Sequence, residues 1–184
     1  MKTRILFILT LLTIIDLSVV AQKVYTKNGS VSFFSKAPVE NISAVNNQVM
    51  STLALAGGEL QFSVLINAFH FKKSRMEEHF NENYMESDKF PKALFKGKII
   101  ELSKINLTVD GSYPVQVSGE ITIHGVTKTI TTSGMISVKS GIITATSIFR
   151  VKPADHKISI PKIVRNNIAE IVDITVSCTY NQKI

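Results

Sequence analysis

Four histidines, His70, His79, His124 and His156, and the single cysteine Cys178 are the side chains most able to bind a metal or move a proton. No two of the histidines stand at i,i+4, and none belongs to a Cys-containing metal motif. Glu78-His79, inside a helix-patterned segment, could supply a metal ligand or an acid–base pair. A satisfied histidine beside a helix acid is the plainer reading of it. His124-Gly125 falls between two strand patterns, where a residue tolerant of positive φ followed by glycine makes a type I′ turn. Nucleophile elbow, phosphate loop and dinucleotide fingerprint are all missing from the sequence. Cys178 alternates with Ile174, Val176 and Tyr180 on one strand face, which marks a buried structural thiol, and a lone cysteine closes no intramolecular disulfide. The expectation is no catalytic set, no metal and no cofactor.

The element best placed to position a ligand is the segment FHFKKSRMEEHFNENYMESDKFP, residues 69–91. Ser74 followed three residues later by Glu77 is a capping box and predicts a helix from Ser74 to about Glu86. Met76, Phe80 and Tyr84 recur at four-residue spacing, with His79 on the same side. Pro91 stops the helix from running on. Every other patterned segment reads as strand, so this stripe must cover a barrel mouth or a sheet face.

The first residues predict export. Lys2 and Arg4 precede an apolar run, Ile5 to Ile15, and Val19-Val20-Ala21 offers a cleavage site after Ala21. The run falls short of the about 20 residues a membrane span needs. Residues 1–21 are therefore read as a signal peptide, residues 22–184 as one domain, and the mature protein as periplasmic or secreted. The net charge of +7 falls to +6 without residues 1–21. Its positive residues are dispersed, which fits a solvated basic surface with weak attraction to anionic membrane lipid. Nucleic acid is not an expected partner, because no arginine-rich stripe occurs.

Beyond the leader, short apolar runs alternate with turn residues. Val31 to Phe34 opens the series and Val39 to Val45 follows, with Asn46-Asn47 read as a tight turn into Val49 to Ala56. Gly57-Gly58 is a hairpin signal leading into Leu60 to Asn67. After the helix come Ala93 to Leu102, Ile105 to Val109, Tyr113 to Ile123, Val126 to Met135 and Ile142 to Val151. A loop from Pro153 to Pro161, with one short extended piece, precedes the closing strand Ala169 to Tyr180. Eight to ten strands joined by tight connections must be antiparallel, as an up-and-down barrel or a sandwich. Clean alternation in Val115 to Ser118 and Ile174 to Cys178 gives each strand one wet face and one dry. The pattern alone leaves barrel and sandwich both open.

Three stretches carry a resemblance: FFSKAPVENISAVNNQV near the N-terminus, the central MEEHFNENYMESDKFPKALFKGKI, and VSGEITIHGVTKTI. Together they resemble the YceI-like family, over most of the chain from about Val24 to Tyr180, and more closely its exported members of Bacteroidetes-type genomes. The resemblance implies an all-β, lipocalin-like antiparallel up-and-down barrel of about eight strands, with one short amphipathic helix packed near one end. It implies a non-catalytic lipid-binding protein that holds a long isoprenoid chain, polyprenyl or quinone-type, in an apolar tunnel. An enzyme acting on a lipid or quinone headgroup, metal-assisted at Glu78 and His79, is the alternative. An isoprene unit has five carbons, so its burial is worth roughly 3–4 kcal/mol gross. Apolar contact alone then suffices for binding, and no charged anchor is needed.

The residues expected to line such a tunnel are Phe62, Val64 and Ile66 on one strand face, with Phe69 and Phe71 near the mouth. Met76, Phe80 and Tyr84 would close it from the helix, with Phe95 facing them. The same residues fit an ordinary packed core equally well. Tyr84 could offer its hydroxyl to a ligand headgroup while its ring stays buried.

Overall fold

The computed structural model describes residues 22–183, so the expected signal peptide, residues 1–21, lies outside the described residues. The strands in chain order are β1 (Lys23–Lys36), β2 (Asn41–Ala54), β3 (Glu59–Leu65), β4 (His70–Phe71), β5 (Lys92–Ile100), β6 (Gly111–Ile123), β7 (Val126–Lys139), β8 (Ile142–Val151), β9 (Val172–Tyr180) and β10 (Gln182–Lys183). One helix, α1 (Ser74–His79), runs into a π-helical turn, Phe80–Tyr84, between β4 and β5. Neighbours pair in the order β1, β9, β8, β7, β6, β5, β3, β2, and β2 pairs back onto β1. The result is a closed antiparallel barrel of eight strands, lipocalin-like and not a sandwich. β4 and β10 are short additions to β2 and β1. Among the described residues no helix is long and apolar enough to cross a membrane.

Alternation decides which face turns inward. β5 presents Ala93, Phe95, Gly97 and Ile99 to the interior while Lys92, Lys96 and Lys98 stay in solvent. Val115, Val117 and Ile121 do the same from β6. A period of two on every strand fixes register, because a one-residue slip would expose the whole apolar set. The tight turns follow their residue types. His124 and Gly125 both take positive φ, 50° and 70°, as a type I′ turn requires.

One end of the barrel is packed solid. Val49, Leu53, Ile99, Ile136, Val138, Ile143, Cys178 and Tyr180 are all buried there. The Ser51 and Tyr180 hydroxyls share a hydrogen bond of 2.7 Å across the plug, which ties β2 to β9. Cys178 is a buried free thiol, pushed from 9.0 up to about 12 by burial. Burial likewise raises the Tyr180 hydroxyl above its ordinary 10.0. For both groups the folded state favours the neutral form. The stability this contributes is whole below the ordinary pKa and is lost as pH rises towards the folded one. Unfolding free energy is therefore expected to fall by about 1.4 kcal/mol per pH unit above pH 9 for Cys178, with Tyr180 adding to the slope above pH 10. Urea titrations at pH 7, 9 and 10.5 check this; a flat profile in wild type, matching Cys178→Ala, contradicts it.

Three local expectations are corrected. Asn46-Asn47 makes no turn, since β2 runs unbroken from Asn41 to Ala54. Asn46 is instead a buried polar residue at an irregularity in the β1–β2 pairing. Its Nδ2 donates to the Leu65 carbonyl at 2.7 Å and its Oδ1 accepts from Gln48 N–H at 2.7 Å. The turn-like Asn bond is made, but it serves a bulge that bends a long strand. Ile105 to Val109 is not a strand; a 3-10 turn at Leu102–Lys104 and further turns occupy that stretch. The Pro153 to Pro161 connection holds no strand, as a loop should, and a 3-10 turn, Pro153–His156, opens it. The capping box does not form, because Ser74 is the first helical residue and makes no cap. Glu77 Oε2 instead accepts from Phe71 N–H at 3.1 Å, tying the helix start to β4.

Candidate functional site: an apolar cavity under the helix

The other end of the barrel is hollow. A cavity of about 430 Å³ opens between the helix and the 152–171 connection, within the range of small-molecule sites. Its wall comes from every barrel strand, for example Val31, Leu60, Ile121, Ile136, Phe149 and Ile174. Two glycines make room for one wall residue, Phe95. Gly97 and Gly119 face each other across β5 and β6, and the Phe95 ring lies over both. A Cβ at either position would come within 2.6 Å or 2.8 Å of that ring. The Phe95 ring is held by its cross-strand neighbour Phe62, centroids 6.0 Å apart.

The helix is clamped to the wall by aromatic rings. Phe80 lies 5.5 Å from Phe33, 5.6 Å from Phe69 and 5.1 Å from Phe71. Phe33 in turn meets Phe69 and Phe71, each at 5.6 Å. The π-helical turn carries Tyr84 and Met85 round to the cavity, with Met85 buried. Met85 N–H donates to the Phe80 carbonyl at 2.8 Å, the i→i+5 bond of a π turn.

All nine residues expected to line a tunnel stand on this cavity: Phe62, Val64, Ile66, Phe69, Phe71, Met76, Phe80, Tyr84 and Phe95. Among them, Phe95 packs against Phe62, and the Phe80 ring meets Phe33, Phe69 and Phe71. Sequence reasoning missed Phe33, Met85 and the connection residues Ile158, Ile160, Val164 and Ile168, which also line it. Phe33 was legible as the inward partner of the Phe33-Phe34 pair. The connection has no strand period to read.

Polar groups gather at the mouth. His79 and Tyr84 reach it from the helix, Glu40 from the β1–β2 loop and Asn167 from the connection. Glu40 is held by Lys73 Nζ at 2.6 Å. His79 is exposed at this rim. Among the described residues no group of three or more His, Cys, Asp or Glu side chains is placed to hold a metal ion. His124 does more than turn the chain. Its Nδ1–H donates to the His156 carbonyl at 3.1 Å, and its Nε2 faces Glu86 Oε2 at 2.8 Å. It thereby joins the end of the helix to the 152–171 connection. Phe90 covers its ring edge-on at 4.4 Å.

A closed eight-stranded barrel, plugged at one end and hollow and apolar at the other beneath a short helix, defines a lipocalin-like barrel with an internal cavity. Residues 17–180 match the model of the YceI-like domain. The chain belongs to the YceI-like family. Among solved structures it is similar to a polyisoprenoid binding domain from Saccharophagus degradans implicated in plant cell wall breakdown. That match has a TM-score of 0.74 at 17% identity and covers 87% of this chain and 97% of the other. BcnA of Burkholderia cenocepacia matches with a TM-score of 0.69 at 16% identity, covering 83% of this chain and 96% of the other. The YCEI protein of Campylobacter jejuni matches with a TM-score of 0.56 at 19% identity, covering 80% and 85%. No curated protein sequence matches the chain.

Proposed function

We propose that the protein is an exported, non-catalytic carrier that holds one long isoprenoid chain in its barrel, for sequestration or transport. The observation that carries this reading is the cavity itself: about 430 Å³, walled mainly by Val, Leu, Ile, Met and Phe, and open at one end. Such a wall offers a methyl-branched hydrocarbon dispersion contacts along its length and few groups for a polar ligand to pair with. The polyisoprenoid-binding relative supports the same ligand class. The leader pattern of residues 1–21 supports export, to the periplasm or beyond, and the resemblance of the three sequence stretches supports a source of the Bacteroidetes type. Tyr84 and His79 at the mouth suit the polar end of the ligand, hydroxyl or quinone. An enzyme at Glu78 and His79 has no observation in its favour, since His79 is exposed at the rim.

The test is affinity against chain length, read by displacement of an environment-sensitive dye with prenyl alcohols of increasing length. Each added five-carbon unit is expected to raise affinity roughly tenfold or more until the cavity is full, then stop. Affinity independent of length, or equal for short polar alcohols, would sink the reading.

A further inference from the structure

We infer that the mouth of the barrel docks onto an anionic lipid bilayer through the turn Lys162–Val164 and the adjoining β1–β2 loop. Ile163 is 92% exposed and Val39 67% exposed, the first and third most exposed large apolar side chains of the barrel being Ile163 and Val39. Both stand at the cavity mouth. Val164, next in sequence to Ile163, lines the cavity, as does Glu40, next to Val39. Two hydrogen bonds fix the turn against the loop: Val39 N–H to the Asn166 carbonyl at 3.0 Å, and Ala169 N–H to Ser35 Oγ at 2.8 Å. The surroundings are cationic. Lys162 and Arg165 flank Ile163, Lys36 leads into the loop, and all three are exposed. The loop's one acid, Glu40, is already taken by Lys73 at 2.6 Å. Asp155 and Glu170 lie in the same connection but outside the turn.

An isolated apolar tip ringed by cations suits the headgroup–acyl boundary, where the side chain inserts and the charges meet anionic lipid. A stable protein partner would need a broad contiguous patch of about 800 Å² instead. The position also has a chemical logic, which rests on the isoprenoid reading above. A ligand almost insoluble in water must pass between cavity and bilayer without crossing solvent, so the opening has to face the lipid.

Docking is read on its own, without any isoprenoid, by flotation with vesicles of phosphatidylglycerol and phosphatidylcholine in equal parts, against pure phosphatidylcholine. Wild type is expected on the anionic vesicles and not on the neutral ones. Ile163→Asp should weaken that binding about tenfold, and Lys162→Glu with Arg165→Glu at least about fivefold for each charge removed. None of these residues lines the cavity, so dye uptake and thermal midpoint should stay at wild-type values. Equal vesicle binding by wild type and variants, or no preference of wild type for anionic vesicles, overturns the proposal. Intact docking in a protein that takes up no prenyl alcohol would instead overturn the isoprenoid reading and leave the docking surface standing.

Discussion

Phe80→Ala is expected to lower the unfolding free energy by about 3 kcal/mol, the low end for a phenylalanine truncated in a core, and the thermal midpoint by about 6–12 °C. The magnitude follows from what one ring holds. Phe80 contacts Phe33 from β1, Phe71 from β4 and Phe69 just before β4, at centroid distances from 5.1 to 5.6 Å. Each such pair contributes about 0.5–1.5 kcal/mol beyond the area it buries. The helix has little else to hold it. Its six α-helical residues are far too few for intrinsic stability, and none of them is buried. Phe80→Leu should recover about half of the loss, because it refills volume without the ring geometry. Thermal and urea unfolding of the two variants check this; a loss below about 1 kcal/mol for Phe80→Ala would show that the aromatic cluster does not clamp the helix.

Filling the cavity should abolish binding with a smaller effect on folding. Val176 lies on β9 opposite Val31 and Ser147 on its neighbours, and it faces the hollow part of the barrel. Val176→Trp places an indole where roughly one isoprene unit would lie. Losing five carbons of contact costs about 4 kcal/mol, so affinity for a prenyl alcohol should fall roughly hundredfold or more. Ser147→Phe, on β8 opposite Val176, makes the same test from another wall. Overpacking a solid core costs about 1–3 kcal/mol, whereas a hollow site should absorb the ring at the lower end of that range. Unchanged affinity with either variant contradicts the cavity as the binding site. A large stability loss together with unchanged dye uptake would point the same way.

Much of the fold was legible because its signal is physical and local. Period-two alternation gave the strands from Tyr113 onward, and turn-residue types gave the His124-Gly125 reversal, observed with positive φ at both positions. The helix was legible from its apolar stripe, but its inner geometry was not. Met85 stands nine positions beyond Met76, half a turn out of phase in a regular α-helix. The π turn rotates it back, so the residue that buries most deeply was the one the period excluded. Asn46 misled for a related reason. An Asn side chain bonding two residues along serves a turn and a bulge alike, and only long-range pairing with Leu65 distinguishes them. The hollow interior was beyond the reach of periodicity as well, and only the family resemblance implied it. Inward valines and isoleucines read identically whether they meet across a core or across a gap. Only the closed barrel shows where the solid plug ends and the cavity begins.

Under the proposed function the cavity carries an isoprenoid in vivo. Its most direct test is native mass spectrometry of the protein purified from its own host, followed by organic extraction and identification of what is released. The expected result is one lipid per chain, built of five-carbon branched units, removed by extraction and absent from Val176→Trp prepared in the same way. Recovery of empty protein, or of a bound molecule without an isoprenoid chain, would contradict the account.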